Sequence, residues 1–197
     1  MENKIFELYD LSEVKVEDPA LMDYISLQEK LVLKTAGRTK VRFEKAKVNI
    51  IERIANLVAV SAHRGKKHKI QTGHASGKYN KNMKIVLETL KIIEKKTGKN
   101  PIQIIVNAIE NAAPRDEITV IEYGGARYPQ AVDMSPLRRV SIALRNIVHG
   151  AYDRSFNKKT KIADGLAQEI IFAAEKSSES SAIKKKNESE KQADSAR

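Results

Sequence analysis

The sequence predicts a mainly α-helical fold, a bundle of about six helices carrying one projecting β-hairpin. Three observations lead there. Apolar residues recur at three- and four-residue spacing through most of the chain. Pro and Gly punctuate those runs where helices start and stop. A single β-branched and aromatic run, Ile118 to Tyr123, is followed by Gly124-Gly125. With 197 residues there is room for one domain of ordinary size plus extensions.

The elements follow in order. Asp18-Pro19 opens a short helix with Leu21, Met22, Ile25 and Leu27 as its apolar positions, proline being suited to a first helical turn. From Phe43 a stronger stripe begins: Phe43, Ala46, Ile50, Ile54, Leu57, Val58 and Ser61 project to one face, with Lys45, Lys47 and Arg53 away from it. Between His63 and Asn82 the pattern stops, and three glycines, three histidines and many Lys and Arg read as an irregular basic loop. Met83, Val86, Leu87, Leu90 and Ile93 restore helical periodicity, which Gly98 ends. Asn100-Pro101 is an N-cap followed by a first-turn proline; Ile102, Ile105, Val106, Ile109 and Ala113 form the stripe behind it, and Pro114 stops that helix.

After the Gly-Gly turn, Ala126 to Met134 runs back as the second strand. Pro129 confines it to an edge, because proline cannot donate to a ladder. Ser135-Pro136 opens a helix with Leu137, Val140, Leu144, Ile147, Val148 and Ala151 on its apolar face. Arg138, Arg145 and His149 share another face with Arg139 beside them, and no acid lies three or four residues from these arginines. A last firm helix spans Lys161 to Lys176. The tail from Ser177 is either disordered or a helix that needs a surface to lie on. The expected organisation is an acidic arm over 1–35, a helical body over 36–176 with basic loop 63–82 and hairpin 117–134, and a polar tail over 177–197.

Charge says more than composition does. Lys and Arg number 36 against 25 acids, a net charge of +11, and the isoelectric point is near 9.7. Residues 1–29 hold 2 basic and 8 acidic side chains, whereas residues 30–69 hold 12 basic and 2 acidic. A solvated surface would mix the signs, so the segregation points to a polyanionic partner, and nucleic acid is the usual one. With no Cys, disulfides, thiolate nucleophiles and Cys-built zinc sites are excluded, and the cytosol is the natural compartment. No apolar run is long enough to cross a bilayer.

Catalysis finds little support. No phosphate loop of the GxxxxGK[ST] type, no GxGxxG after a strand and no nucleophile elbow occurs. His63, His68 and His74 share one loop but sit among Lys and Arg, whose charge opposes a divalent cation; histidines near phosphate are the better reading, and no metal or other cofactor is expected. Asp116-Glu117 reads as a turn pair rather than an acid–base pair. Two other classes of partner fit the basic segment less well. A helix-turn-helix DNA regulator needs short loops around a recognition helix. A membrane-surface binder needs an aromatic insertion face, and aromatics are only 5% with no Trp.

Several motifs together resemble one family, small-subunit ribosomal protein seven in its archaeal and eukaryotic branch. They are Asn107-Ala-Ile-Glu-Asn-Ala-Ala-Pro-Arg115, Tyr123-Gly-Gly-Ala-Arg-Tyr128, Val132-Asp-Met-Ser-Pro-Leu-Arg-Arg139 and Ala182-Ile-Lys-Lys-Lys-Asn187. The match runs from about Val41 to the C-terminus, outside the acidic arm. The stretch from Ala59 to Lys78 resembles the insertion that separates this branch from the bacterial one. The resemblance implies a helical bundle with a projecting hairpin and no enzymatic activity. It also implies a primary binder of 16S ribosomal RNA that nucleates assembly of the 30S head, near exit-site tRNA and the mRNA path, beside small-subunit proteins nine and eleven.

Carried over by position, Gly77, Lys78, Asn80 and Lys81 correspond to the family's RNA-gripping Gly-Lys-Lys turn. Arg115, then Gly124, Gly125, Arg127 and Tyr128 at the hairpin tip, then Arg138, Arg139 and Arg145 complete the implied surface. The charge pattern adds Arg38, Lys40, Arg42, Lys45 and Lys47 before the loop, and Arg64, Lys66, Lys67, His68 and Lys69 within it. Lys158, Lys159, Lys184, Lys185 and Lys186 follow toward the C-terminus. Lys66, Lys67 and Lys69 are expected to order only on RNA.

Overall fold

A computed structural model describes residues 4–29, 31, 33–35, 39, 41–61 and 77–197. Among them the chain forms β1 (Lys4–Ile5), β2 (Tyr9–Asp10), α1 (Pro19–Met22), a 3₁₀ turn over Glu44–Lys47, and α2 (Ile50–Val58). Then come α3 (Tyr79–Thr97), α4 (Pro101–Ala112), β3 (Asp116–Tyr123), β4 (Ala126–Asp133), α5 (Pro136–Ser155), α6 (Ile162–Ala174) and α7 (Ser181–Asp194). The architecture is the helical bundle with one long antiparallel hairpin that the periodicity predicts, with α7 as an added helix.

Helix starts obey local capping chemistry. Asp18 accepts from Ala20 N, Asn49 from Ile51 N, and Asn100 from Ile102 N, each satisfying a backbone donor that the helix itself leaves open. Gly98 ends α3 at φ 66°, the left-handed conformation that favours glycine.

Helix α6 is the hub, packing against α3, α4 and α5. Its small buried residues, Ala163, Gly165, Ala167 and Ala173, let neighbouring axes approach closely. A Cβ placed on Gly165 would stand 2.9 Å from the Ala151 carbonyl oxygen of α5, and one on Gly150 would stand 2.7 Å from Cδ of Glu169. Glu169 itself is fully buried (0% exposed). Its carboxylate accepts from Arg154 Nε at 2.9 Å, Ser180 Oγ at 2.8 Å and Ala182 N at 3.0 Å, which ties α5, α6 and the start of α7 together. The tail finds its surface on the protein itself. Ala182, Ile183 and Ala193, nearly all the apolar residues it has, are buried as α7 packs on α5 and β3.

The acidic arm reaches the same core through Ile5, Tyr9, Leu21 and Ile25. Between those anchors, polar side chains of α4 act as stand-ins for a strand partner. Gln103 accepts from Lys15 N and donates back to Lys15 O, and Glu110 accepts from the amides of Glu17 and Asp18.

Four expectations need correction. The helix read from Phe43 begins only at Ile50; Phe43 itself sits at φ 67° and is 63% exposed, so the apolar stripe loses its first member. Arg53 does not point away from the core. It is 3% exposed, because its guanidinium reaches the Tyr24 carbonyl at 3.1 Å and Ser141 Oγ at 3.2 Å. Helix α3 starts at Tyr79, within the segment read as loop, since half-buried Tyr79 donates its hydroxyl to the Leu33 carbonyl and anchors an extra turn that polar neighbours conceal. Met22, counted as apolar facing, is exposed. His63, His68 and His74 lie outside the described residues.

Candidate nucleic-acid interface

The hairpin pairs eight residues a side, from Asp116 opposite Asp133 to Tyr123 opposite Ala126. At about 3.4 Å per residue this makes an arm roughly 27 Å long. Gly124 and Gly125 turn it at φ 58° and 81°; two successive positive values are what a two-residue hairpin loop with the right twist requires. The register places Ile118, Val120 and Pro129 on one face and Ile121, Tyr123 and Tyr128 on the other, and all six are exposed. Both faces of the arm thus offer apolar surface to solvent, which marks a docking element rather than a core layer. Arg127 meets Glu122 at 3.5 Å with both side chains largely exposed, a pair that contributes little to stability.

At the base of the arm the arginines of α5 are engaged. Arg138 grips Glu117 of β3 with Nε to Oε1 at 2.6 Å and Nη2 to Oε2 at 2.6 Å, and this hydrogen bonding raises its pKa. Arg139 is 9% exposed; its Nε donates to the Pro114 carbonyl at 3.1 Å and its Nη2 to Asp18 Oδ2 at 3.0 Å. The lack of acids at helical spacing therefore does not leave these two arginines unpaired, since their partners come from elements far away in sequence.

Beside them Arg115 is exposed, with its backbone amide on Glu190 Oε1 of α7 at 3.0 Å. Lys186 donates to the Asn111 carbonyl at 2.9 Å. Burial lowers the Lys186 pKa, Glu190 works against that, and Arg115, Arg139 and Lys176 add like charge. Lys184 faces solvent and Lys185 is half-buried.

A second cationic group forms where the 3₁₀ turn, α2 and α5 meet. Lys45 has its pKa lowered by partial desolvation, then by the positive charges of Arg53 and Arg145. Burial pulls the Arg53 guanidinium down to about 10, so it stays charged at neutral pH. Among the described residues no carboxylate pairs with Lys45, Arg53 or Arg145. Arg42 stacks its guanidinium over the Phe43 ring at 4.8 Å, and Lys47 is exposed.

The remaining sequence-predicted residues sit elsewhere. Gly77 adopts φ 69° just before α3, with Lys78, Asn80 and Lys81 exposed at that helix start, and Lys158 and Lys159 are exposed between α5 and α6. Arg38, Lys40, Arg64, Lys66, Lys67, His68 and Lys69 lie outside the described residues. Sequence reasoning missed Arg53 and Phe43. For Arg53 a signal existed: on a helical projection it falls only about 40° from Leu57, beside the apolar stripe rather than opposite it. For Phe43 none did, because its exposure follows from a left-handed backbone that no local residue announces.

No helix among the described residues is long and apolar enough to cross a membrane. Comparison with known proteins supplies the family. The sequence pattern of "Ribosomal protein S7p/S5e" matches residues 24–197. Nanoarchaeum equitans small ribosomal subunit protein uS7 is 52% identical over 198 residues, covering 100% of both chains. Its Archaeoglobus fulgidus counterpart is 48% identical over 194 residues, covering 98% of this chain and 94% of the relative. A Methanococcus maripaludis counterpart is 45% identical over 200 residues, covering 100% of both. Those full-length matches bring the acidic arm inside the similarity too. The pairing of a helical bundle with a solvent-exposed hairpin agrees with them, and the chain belongs to the ribosomal protein S7p/S5e family in its archaeal form, a structural and non-enzymatic component of the small ribosomal subunit.

Proposed function

We propose that the protein is a primary binder of 16S ribosomal RNA that nucleates folding of the 30S head. Its hairpin arm lies toward the subunit interface near exit-site tRNA and the mRNA path, and small-subunit proteins nine and eleven are its protein neighbours. The observation that carries this reading is the crowding of Lys45, Arg53 and Arg145 without a pairing carboxylate among the described residues. A protein gathers like charges at a cost unless a polyanion compensates them. RNA junctions bring distant phosphates together, so a correctly folded junction meets such a surface better than an extended strand does. Binding then stabilises that junction by mass action. Arg127 and Tyr128 at the hairpin tip, Arg115 at its base, Lys78 and Lys81 at the start of α3, and Lys158, Lys159 and Lys184 are exposed and supply further RNA contacts in this reading. Arg138, Arg139 and Lys186 hold the elements around the hairpin base together through Glu117, Asp18 and Asn111.

The test is a filter-binding titration against the 3′ major domain of 16S RNA with the 5′ domain as competitor. A preference of about a hundredfold, equivalent to roughly 2.7 kcal/mol, is expected. Equal binding to both domains would mean that charge alone drives association and would refute the assembly role.

A further inference from the structure

An open cavity of about 520 Å³ lies between the 3₁₀ turn, α2 and α5, within the range of about 300–1,000 Å³ typical of small-ligand sites. Its walls differ in chemistry. Val41, Phe43, Leu57 and Leu137 are apolar, while Lys45 and Arg53 bring positive charge. Arg53 is the unusual member. A guanidinium only 3% exposed ordinarily faces a carboxylate, yet its Nη atoms reach only a carbonyl and a hydroxyl, and its Nε, shielded from water, has no acceptor among the described residues. The buried charge is left for something in the cavity to compensate. Lys45, solvent-exposed on the same wall, is the donor within reach of an entering anion. At the mouth, Phe43 is exposed and held at φ 67°, a conformation a bulky residue seldom adopts, which sets its ring beside the cations with the Arg42 guanidinium stacked over it at 4.8 Å.

We infer that this cavity seats one unstacked RNA nucleotide, its phosphate drawn to Lys45 and the Arg53 charge and its base laid on Phe43. The inference rests on the RNA-binding reading above and adds to it a single-residue seat. A phosphate alone would satisfy the cations and leave the aromatic and aliphatic walls unused. A neutral base alone would leave the Arg53 charge uncompensated. A nucleotide uses both.

The experiment titrates wild-type protein, Phe43→Ala and Lys45→Ala with the 3′ major domain fragment at several salt concentrations, with a thermal melt of each variant. Phe43→Ala removes an exposed ring without changing charge and is expected to weaken binding about tenfold at an unchanged salt slope. Lys45→Ala is expected to weaken binding and to lower the slope by about one. Wild-type affinity in both variants, beside selective binding by the wild-type protein, overturns the seat while RNA binding stands. Weakening by Lys45→Ala alone marks plain phosphate attraction and also overturns it. Should the wild-type protein not select the fragment, the RNA-binding reading fails, and adenosine 5′-monophosphate then decides the cavity. A saturable shift of the Phe43 ring resonances, absent with adenosine, supports a nucleotide site; no shift refutes it.

Discussion

Arg139 Nη2 donates to Asp18 Oδ2 at 3.0 Å, joining α5 at the hairpin base to the acidic arm across 121 positions of sequence. Asp18 does double service, because its other oxygen caps α1 through Ala20 N. Replacing it with Ala removes the cap, a loss of about 1 kcal/mol, and leaves a nearly buried guanidinium without its carboxylate. Urea denaturation of Asp18→Ala is expected to show a total loss of about 2–4 kcal/mol. A loss below about 0.5 kcal/mol would mean that the arm does not brace α5.

Arg145 is exposed and has no carboxylate partner among the described residues. Arg145→Ala is therefore expected to leave stability within about 0.5 kcal/mol of wild type. RNA affinity measured against salt should fall, with the slope reduced by about one. The reverse pattern, lost stability with an unchanged slope, would make Arg145 a packing residue.

Gly150 has no room for a side chain, since an added Cβ would meet Cδ of buried Glu169 at 2.7 Å and Cβ of Ser181 at 2.9 Å. Gly150→Ala pushes apart the junction of α5, α6 and α7. Overpacking of this kind typically costs about 1–3 kcal/mol. Hydrogen exchange should localise the damage to α7, whose start depends on Glu169 and Ser180.

Tyr9 and Tyr79 have pKa values pushed up to about 12 from the ordinary 10.0, in each case first by burial and then by a carboxylate, Glu94 or Glu52. The folded protein keeps both phenols neutral where the unfolded chain would ionise them. Their contribution is thus fully present below about pH 10 and is lost as pH rises toward 12. Alkaline unfolding should be steep in that window, and Tyr9→Phe should flatten it. An identical pH profile for Tyr9→Phe would show that Tyr9 is not coupled to folding.

Tyr123 and Tyr128 stand in solvent at the end of the arm, on one face of the ladder. Replacing both with Ser should leave the melting temperature within a degree or two, because nothing in the core touches them, while RNA affinity drops. If the melting temperature fell by many degrees and affinity held, the arm would be a folding element.

Much of this molecule is legible in its sequence, for identifiable physical reasons. Asn100-Pro101 opening α4, Gly98 closing α3 and Gly124-Gly125 turning the hairpin are local chemistry. Each satisfies or bends the backbone within four residues, so the local sequence suffices to place them. The split between an acidic first segment and a basic second one is likewise a property of the chain alone. What the tertiary structure decided is the fate of individual charges. Arg138 and Arg139 are the same residue type at adjacent positions of α5. Yet one is exposed and held on Glu117, and the other is nearly buried and held on Asp18, because Coulomb attraction and desolvation depend on neighbours that only folding brings near. Arg53 turns inward and Phe43 outward for the same kind of reason. The tail becomes a helix only because α5 and β3 cover its three buried apolar side chains, Ala182, Ile183 and Ala193, a stabilisation its own residues could not supply.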